Sequence, residues 1–172
     1  MNILIYYLKE DSKMDIEFNQ EELERVDTII SKYPEKKSAL MPVLWLAQKK
    51  WGWISKDVMK YIANLLDLSF AHVEGVATFY TMYFKKPMGK FHLQICTNVS
   101  CMLRDGDSIY RYVSDKLSIG NMETTTDGQF SLEEVECMGA CGGAPMMAVN
   151  DDYYENMSIE KLDKLLEELK NK

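Results

Sequence analysis

Basic residues, histidine and cysteine are all scarce in this sequence, and each scarcity removes a class of function. Lys and Arg number 20 against 27 Asp and Glu, a formal net charge of −7. A surface of that sign does not grip a phosphate backbone, which needs a basic face, so nucleic acid is not an expected partner. No run approaches the roughly 20 apolar residues of a membrane-spanning helix, and direct membrane insertion is not expected. The opening MNILIYYL is apolar only briefly and has neither a basic start nor a small-residue cleavage site, so it does not read as a signal peptide. It reads as a short strand or a disordered start, with Met14 as an alternative first residue. The simplest location is the cytoplasm, where thiols stay reduced.

Several fingerprints are missing too. Without a G-x-G-x-x-G stretch, Rossmann-type binding of NAD on this chain is not expected. Without Cys-x-x-Cys, a thioredoxin-type redox dithiol is excluded. No acid–base or nucleophile set stands out, so no catalytic residue is assigned. Of the two histidines, His72 reads as a helix-surface residue and His92 as a strand-face residue. A Rieske centre takes two histidines on one iron, and His92 has no partner in its half of the chain. Repeats and low-complexity segments are absent.

What is present is a 172-residue chain, 47% hydrophobic, long enough for one or two small domains with real cores. Its halves differ in texture. The first reads as helices. Asn19 with Glu22 forms a capping box before Leu23, Val26, Ile29 and Ile30, and Pro34 ends that helix. Ser38 is the expected cap of the next, with Leu40, Val43, Leu44 and Ala47 on one stripe and Gly52 as its stop. Ser55 and Ser69 open two more helices. Trp45, Trp51 and Trp53 read as core or interface residues. KKPMGK, residues 85–90, reads as a linker, which divides the chain into 1–87 and 88–172. After it, FHLQIC alternates, with Phe91, Leu93 and Ile95 on one face and His92, Gln94 and Cys96 on the other. A helix is expected over 106–117, a hairpin turning at Asp127-Gly128, short strands in PMMAV and DYYEN, and a last helix capped by Ser158. The order β-α-β-β-(β)-α is α+β or mixed α/β, of the kind used by small thioredoxin-like domains.

All four cysteines lie in the second half, as Cys96-x4-Cys101 and Cys137-x3-Cys141. Each pair stands where a strand runs into a loop. Four thiols in a reducing compartment suggest a metal before disulfides. Structural zinc accepts four thiolates, and so does a [2Fe–2S] cluster, two on each iron. Spacing leaves both open. The stretch CMGACGGAP favours the cluster, because Gly139, Ala140, Gly142 and Gly143 let backbone N–H groups approach negatively charged sulfur. Arg104, just past Cys101, reads as a charge offset, a cap for the loop or a plain surface arginine.

VATFYTMYF (76–84), CTNVSCMLR (96–104) and ECMGACGGAPMMAVND (136–151), with ALMPVLWLAQKKWGWIS (39–55), resemble the family of the 24 kDa subunit of respiratory complex I, the bacterial E subunit of NADH:quinone oxidoreductase. The same family supplies the small [2Fe–2S] subunit of NAD-linked hydrogenases, electron-bifurcating ones among them, and of NAD-linked formate dehydrogenases. The resemblance covers nearly the whole chain. It implies an N-terminal helical bundle followed by a thioredoxin-like [2Fe–2S] ferredoxin domain. It implies one cluster held by Cys96, Cys101, Cys137 and Cys141, the first pair on one iron and the second on the other. It implies a flavoprotein partner carrying FMN and oxidising NADH, within a larger redox complex. This chain would then be an electron-transfer subunit without an active site of its own. Many relatives carry proline just before the second cysteine; here Ser100 takes that place, which bears on loop stiffness rather than ligation. The competing readings are a zinc-stapled adaptor and a free soluble ferredoxin. Which complex, which final acceptor and what potential are not written in the residues.

Overall fold

The structure is a computed structural model that describes residues 16–172. The MNILIYYL stretch and Met14 lie outside the described residues. The chain forms two compact units, one ending at Lys86 and the other spanning Pro87–Lys172.

The first unit is helical. α1 (Gln20–Ile30) opens with a reciprocal capping box: the Glu22 amide donates to Asn19 Oδ1 at 2.9 Å, and the Asn19 amide donates to Glu22 Oε2 at 2.7 Å. It ends before Pro34 is reached. The next helix does not start as the sequence suggests. Ser38 sits inside a 3₁₀ turn (Lys36–Ala39) that runs straight into α2 (Leu40–Trp51), and Ala39 caps α2 without a side-chain bond. The turn's own i→i+3 bonds occupy the amides that a serine cap would have served. α3 (Lys56–Leu66) and α4 (Phe70–Phe79) start from Ser55 and Ser69, each accepting an amide three residues on.

Val43, Leu44, Ala47, Val58, Ile62, Leu66, Val73 and Ala77 form this unit's core, and Tyr83 is sealed within it, its hydroxyl donating to the Met41 carbonyl at 2.8 Å. Burial pushes the Tyr83 phenol up to about 12. Trp51 stacks on Phe18 with centroids 5.0 Å apart, and both Trp45 and Trp51 pack against the core. The amphipathic pattern of α3 thus places Val58, Ile62 and Leu66 where the sequence put them.

The second unit is a five-stranded sheet in the order β2-β3-β1-β4-β5. Its strands are β1 (Phe91–Cys96), β2 (Glu123–Thr124), β3 (Phe130–Val135), β4 (Met147–Val149) and β5 (Asp152–Tyr154). β1 and β3 are parallel, which requires a crossover, and α5 (Val99–Met102) with α6 (Gly106–Leu117) supplies it. The other neighbours are antiparallel. α7 (Ile159–Lys170) follows Ser158, whose hydroxyl accepts the Lys161 amide.

One sheet face is apolar. Phe91, Leu93 and Ile95 of β1 join Phe130 and Leu132 of β3 and Met147 and Val149 of β4, and both α6 (Ile109, Val113) and α7 (Leu162, Leu166, Leu169) pack onto them. β1 occupies the middle of the sheet and is buried on its second face too, where alternation alone had placed a polar side. His92 is only 2% exposed there.

Candidate metal centre

Register decides where the cysteines meet. Cys96 is the last residue of β1 and stands opposite Val135, the last residue of β3. The strands are parallel, so the loops carrying Cys101 and Cys137 leave the same end of the sheet. β4 runs the other way and starts at that end, and the Cys96 amide donates to the Met146 carbonyl at 3.3 Å.

The first loop is wound tightly. Asn98 caps α5, its side chain accepting the Val99 amide at 2.8 Å, and the Arg104 amide donates back to the Cys101 carbonyl at 3.0 Å. Cys96 and Cys101 are both buried, in a small apolar wall with Ala144 and Met146, against which Met138 and Ala140 pack. Cys137 and Cys141 are exposed. Burial pushes the Cys101 thiol up; the Met146 amide, hydrogen-bonded to it, pulls the other way; the neighbouring Cys96 and Cys141 thiols push it up further. Cys137 is placed by its loop, with the Glu136 carbonyl 4.0 Å from Cys96 Sγ. Among the described residues, no three or more His, Cys, Asp or Glu side chains are closed around a single-ion site.

The second loop is held by its neighbours. Arg104 Nη1 donates to the Ala144 carbonyl at 3.0 Å, tying the first cysteine loop to the second. Of the three sequence readings of Arg104, the loop cap is the one with a contact. The Ala144–Pro145 peptide is cis. The Asn156 amide donates to the Gly143 carbonyl at 2.7 Å, the Met157 amide to the Pro145 carbonyl at 2.9 Å, and Tyr153 Oη to the Met138 carbonyl at 3.3 Å.

Gly142 and Gly143 differ in the room around them. A Cβ on Gly142 would meet nothing within 4 Å, whereas one on Gly143 would stand 2.7 Å from Glu155 Cβ and closer still to the Glu155 carboxylate. Gly143 makes room for the chain leaving β5. Gly106, distant from the glycine-rich loop in sequence, packs on the backbone of the first cysteine pair. A Cβ there would lie 2.9 Å from the carbonyl oxygens of both Cys96 and Cys101 and 2.9 Å from the Cys101 carbonyl carbon. The sequence reading gave only a helix over 106–117 here, so the contact of Gly106 with Cys96 and Cys101 was not anticipated.

His92 is a structural residue with a full set of bonds. Its Nδ1 is 2.8 Å from Ser131 Oγ and its Nε2 is 2.9 Å from Glu133 Oε2, which also accepts from Gln94 Nε2 at 2.9 Å. These bonds knit β1 to β3 behind the cysteine ends. His72 is exposed on α4.

The donor set suits a group that takes four thiolates. Two buried and two exposed sulfurs, an amide on one of them and an apolar wall behind are the surroundings an iron–sulfur centre uses to exclude water while staying near the surface. A sheet with two helices on one face, and paired cysteine loops leaving one end of two parallel strands, defines a thioredoxin-like domain.

The chain belongs to the thioredoxin-like [2Fe-2S] ferredoxin family, whose sequence profile matches residues 26–170 and so includes all four cysteines. It is 44% identical over 157 residues to the E subunit of NADH-quinone oxidoreductase of Rickettsia prowazekii (strain Madrid E), covering 90% of this chain and 89% of that protein. It is 43% identical over 144 residues to the E 2 subunit of NADH-quinone oxidoreductase of Rhizobium meliloti (strain 1021), covering 84% of this chain and 86% of the relative. Its fold matches a crystal structure of an NAD+-reducing [NiFe]-hydrogenase in the air-oxidized state, with a TM-score of 0.68 at 16% identity over 77% of this chain. The match spans 23% of that hydrogenase chain. Among the described residues, no helix is long and apolar enough to cross a membrane.

Proposed function

We propose that this chain is the electron-transfer subunit of an NADH dehydrogenase-type complex, with Cys96, Cys101, Cys137 and Cys141 holding one [2Fe–2S] cluster. The observation that carries the reading is that both cysteine loops leave one end of the β1–β3 ladder, with Cys96 and Cys101 buried together against Ala144 and Met146. The relatives named as components of NADH-quinone oxidoreductase support the setting.

When bound, the cluster supplies one-electron transfer at a potential set by its surroundings. The chain's own part is to hold and shield. Cys96 and Cys101 come from the buried side, on a strand end and a capped turn. Cys137 and Cys141 come from the exposed side. Met146 offers its amide to a ligand sulfur, which stabilises the thiolate and so assists ligation. Arg104 keeps the two loops together, and Ala144 and Met146 exclude water behind them. Val99, Met102 and Leu103 stand exposed beside Cys101, at 57%, 46% and 77%, so the first loop is rimmed with apolar side chains of the kind that partners cover.

The reading places residues 88–172 as the cluster-bearing domain and 1–87 as the helical part that docks. FMN and NAD belong to the partner flavoprotein, which receives one hydride, carrying two electrons, from NADH and must release those electrons singly. The protein works at the cytoplasmic side without entering the membrane. In a test, anaerobic full-length protein is mixed with NADH and its visible absorbance is followed. NADH alone is expected to leave the absorbance unchanged. Adding the FMN-bearing flavoprotein of the same complex is expected to bleach it. Bleaching by NADH without the flavoprotein, or none with it although dithionite bleaches the sample, would contradict the reading.

A further inference from the structure

We propose that Glu155 lowers the reduction potential of the centre, an inference that rests on the cluster reading above. Glu155 follows β5 and is distant in sequence from every cysteine, yet its side chain approaches Gly143 in the second cysteine loop. Its Cβ comes within 2.7 Å of the position a Cβ would take on Gly143, and its carboxylate comes closer still. The backbone that follows is pinned to the same loop, with the Asn156 amide on the Gly143 carbonyl at 2.7 Å and the Met157 amide on the Pro145 carbonyl at 2.9 Å. These main-chain bonds hold the backbone that carries Glu155 against the loop. Gly143 is two residues past Cys141, and consecutive Cα atoms are about 3.8 Å apart, so the charge sits within about one Debye length of that ligand.

Reduction adds one electron to a group that four thiolates already make negative. A fixed carboxylate nearby opposes that gain, and its removal favours the reduced form. Gly143 is the enabling residue, since any side chain there would displace Glu155. The arrangement gives Gly143 a role in tuning through charge.

The test is an EPR-monitored redox titration of full-length protein with dithionite, comparing the unaltered chain with Glu155→Gln, Glu155→Lys and a distant control, Glu168→Gln on α7. Loss of one negative charge in Glu155→Gln is expected to favour reduction by about threefold. Reversal of the charge in Glu155→Lys is expected to favour it by about tenfold, or ~59 mV for one electron. The control is expected to keep the unaltered potential. Both shifts are expected to shrink as ionic strength rises, because Glu155 is exposed. Glu155→Gln keeps shape, so it remains informative if the lysine variant fails to fold. Intact cluster signals with equal potentials in the unaltered, Gln and Lys proteins would overturn the proposal while leaving the cluster reading standing. An unaltered protein without a [2Fe–2S] signal would overturn both. Equal shifts in Gln and Lys variants would show a packing role and overturn the charge role.

Discussion

Alanine at any one of Cys96, Cys101, Cys137 or Cys141 is expected to leave the protein with less than about a tenth of its iron, because an iron missing one thiolate is undercoordinated and open to solvent. The four variants should differ in what else they lose. Cys96 and Cys101 are buried, at 3% and 1% exposure, beside Ala144 and Met146, so alanine there also removes contacts from an apolar wall. Truncation of a buried side chain costs roughly 1–3 kcal/mol, and those two should unfold earlier even as apoproteins. Cys137 and Cys141 are exposed, and their apoproteins should match the unaltered apoprotein in stability. His92→Ala is the contrast. It breaks the bonds to Ser131 and Glu133 in a buried spot, which costs about 1–3 kcal/mol, yet should keep the iron. Iron content and denaturant unfolding read both quantities. Full iron in the four cysteine variants would remove the ligand assignment.

Alanine at Gly106 is expected to destabilise the second unit by about 1–3 kcal/mol and to lower iron occupancy. The sign is informative. Gly106 is the first residue of α6, where Gly→Ala on propensity alone would stabilise by roughly 1 kcal/mol. Here the added methyl would meet the carbonyls of Cys96 and Cys101 at 2.9 Å, and the neighbours are main chain, which does not rotate away. Either α6 retreats from the end of β1, or the turn carrying Cys101 is displaced; both move a ligand. Gly106→Val should do more. A more stable Gly106→Ala protein with full iron would show that the close approach is not required.

What could be read in the sequence follows from the range of each interaction. Asn19 with Glu22, Ser55, Ser69 and Ser158 announced helix starts because a cap involves residues three apart. Ser38 misled because the preceding residues form a 3₁₀ turn, which has no strong periodic signature. The helix at Gly106–Leu117, the hairpin at Asp127-Gly128 and the short strands at 147–149 and 152–154 came from local patterning, and the thioredoxin-like class came with them.

The cysteine spacing drew attention to these two loops, but the contacts that support them were not legible. The bond from Arg104 to Ala144, the Met146 amide on Cys101, the Glu155 side chain over Gly143 and the pairing of His92 with Ser131 and Glu133 all join residues brought together only by the sheet's register. No single-sequence pattern encodes that register. Glycine density near a cysteine did not announce that a Cβ would meet Glu155 at Gly143 and cysteine backbone at Gly106.

The cluster itself is the central claim. Full-length protein purified without oxygen should be reddish-brown and contain about two irons and two acid-labile sulfides per chain, with little zinc, and one-electron reduction by dithionite should give a spin-half EPR signal. Colourless protein with one zinc per chain and no sulfide would contradict the account and point instead to a zinc-stapled adaptor.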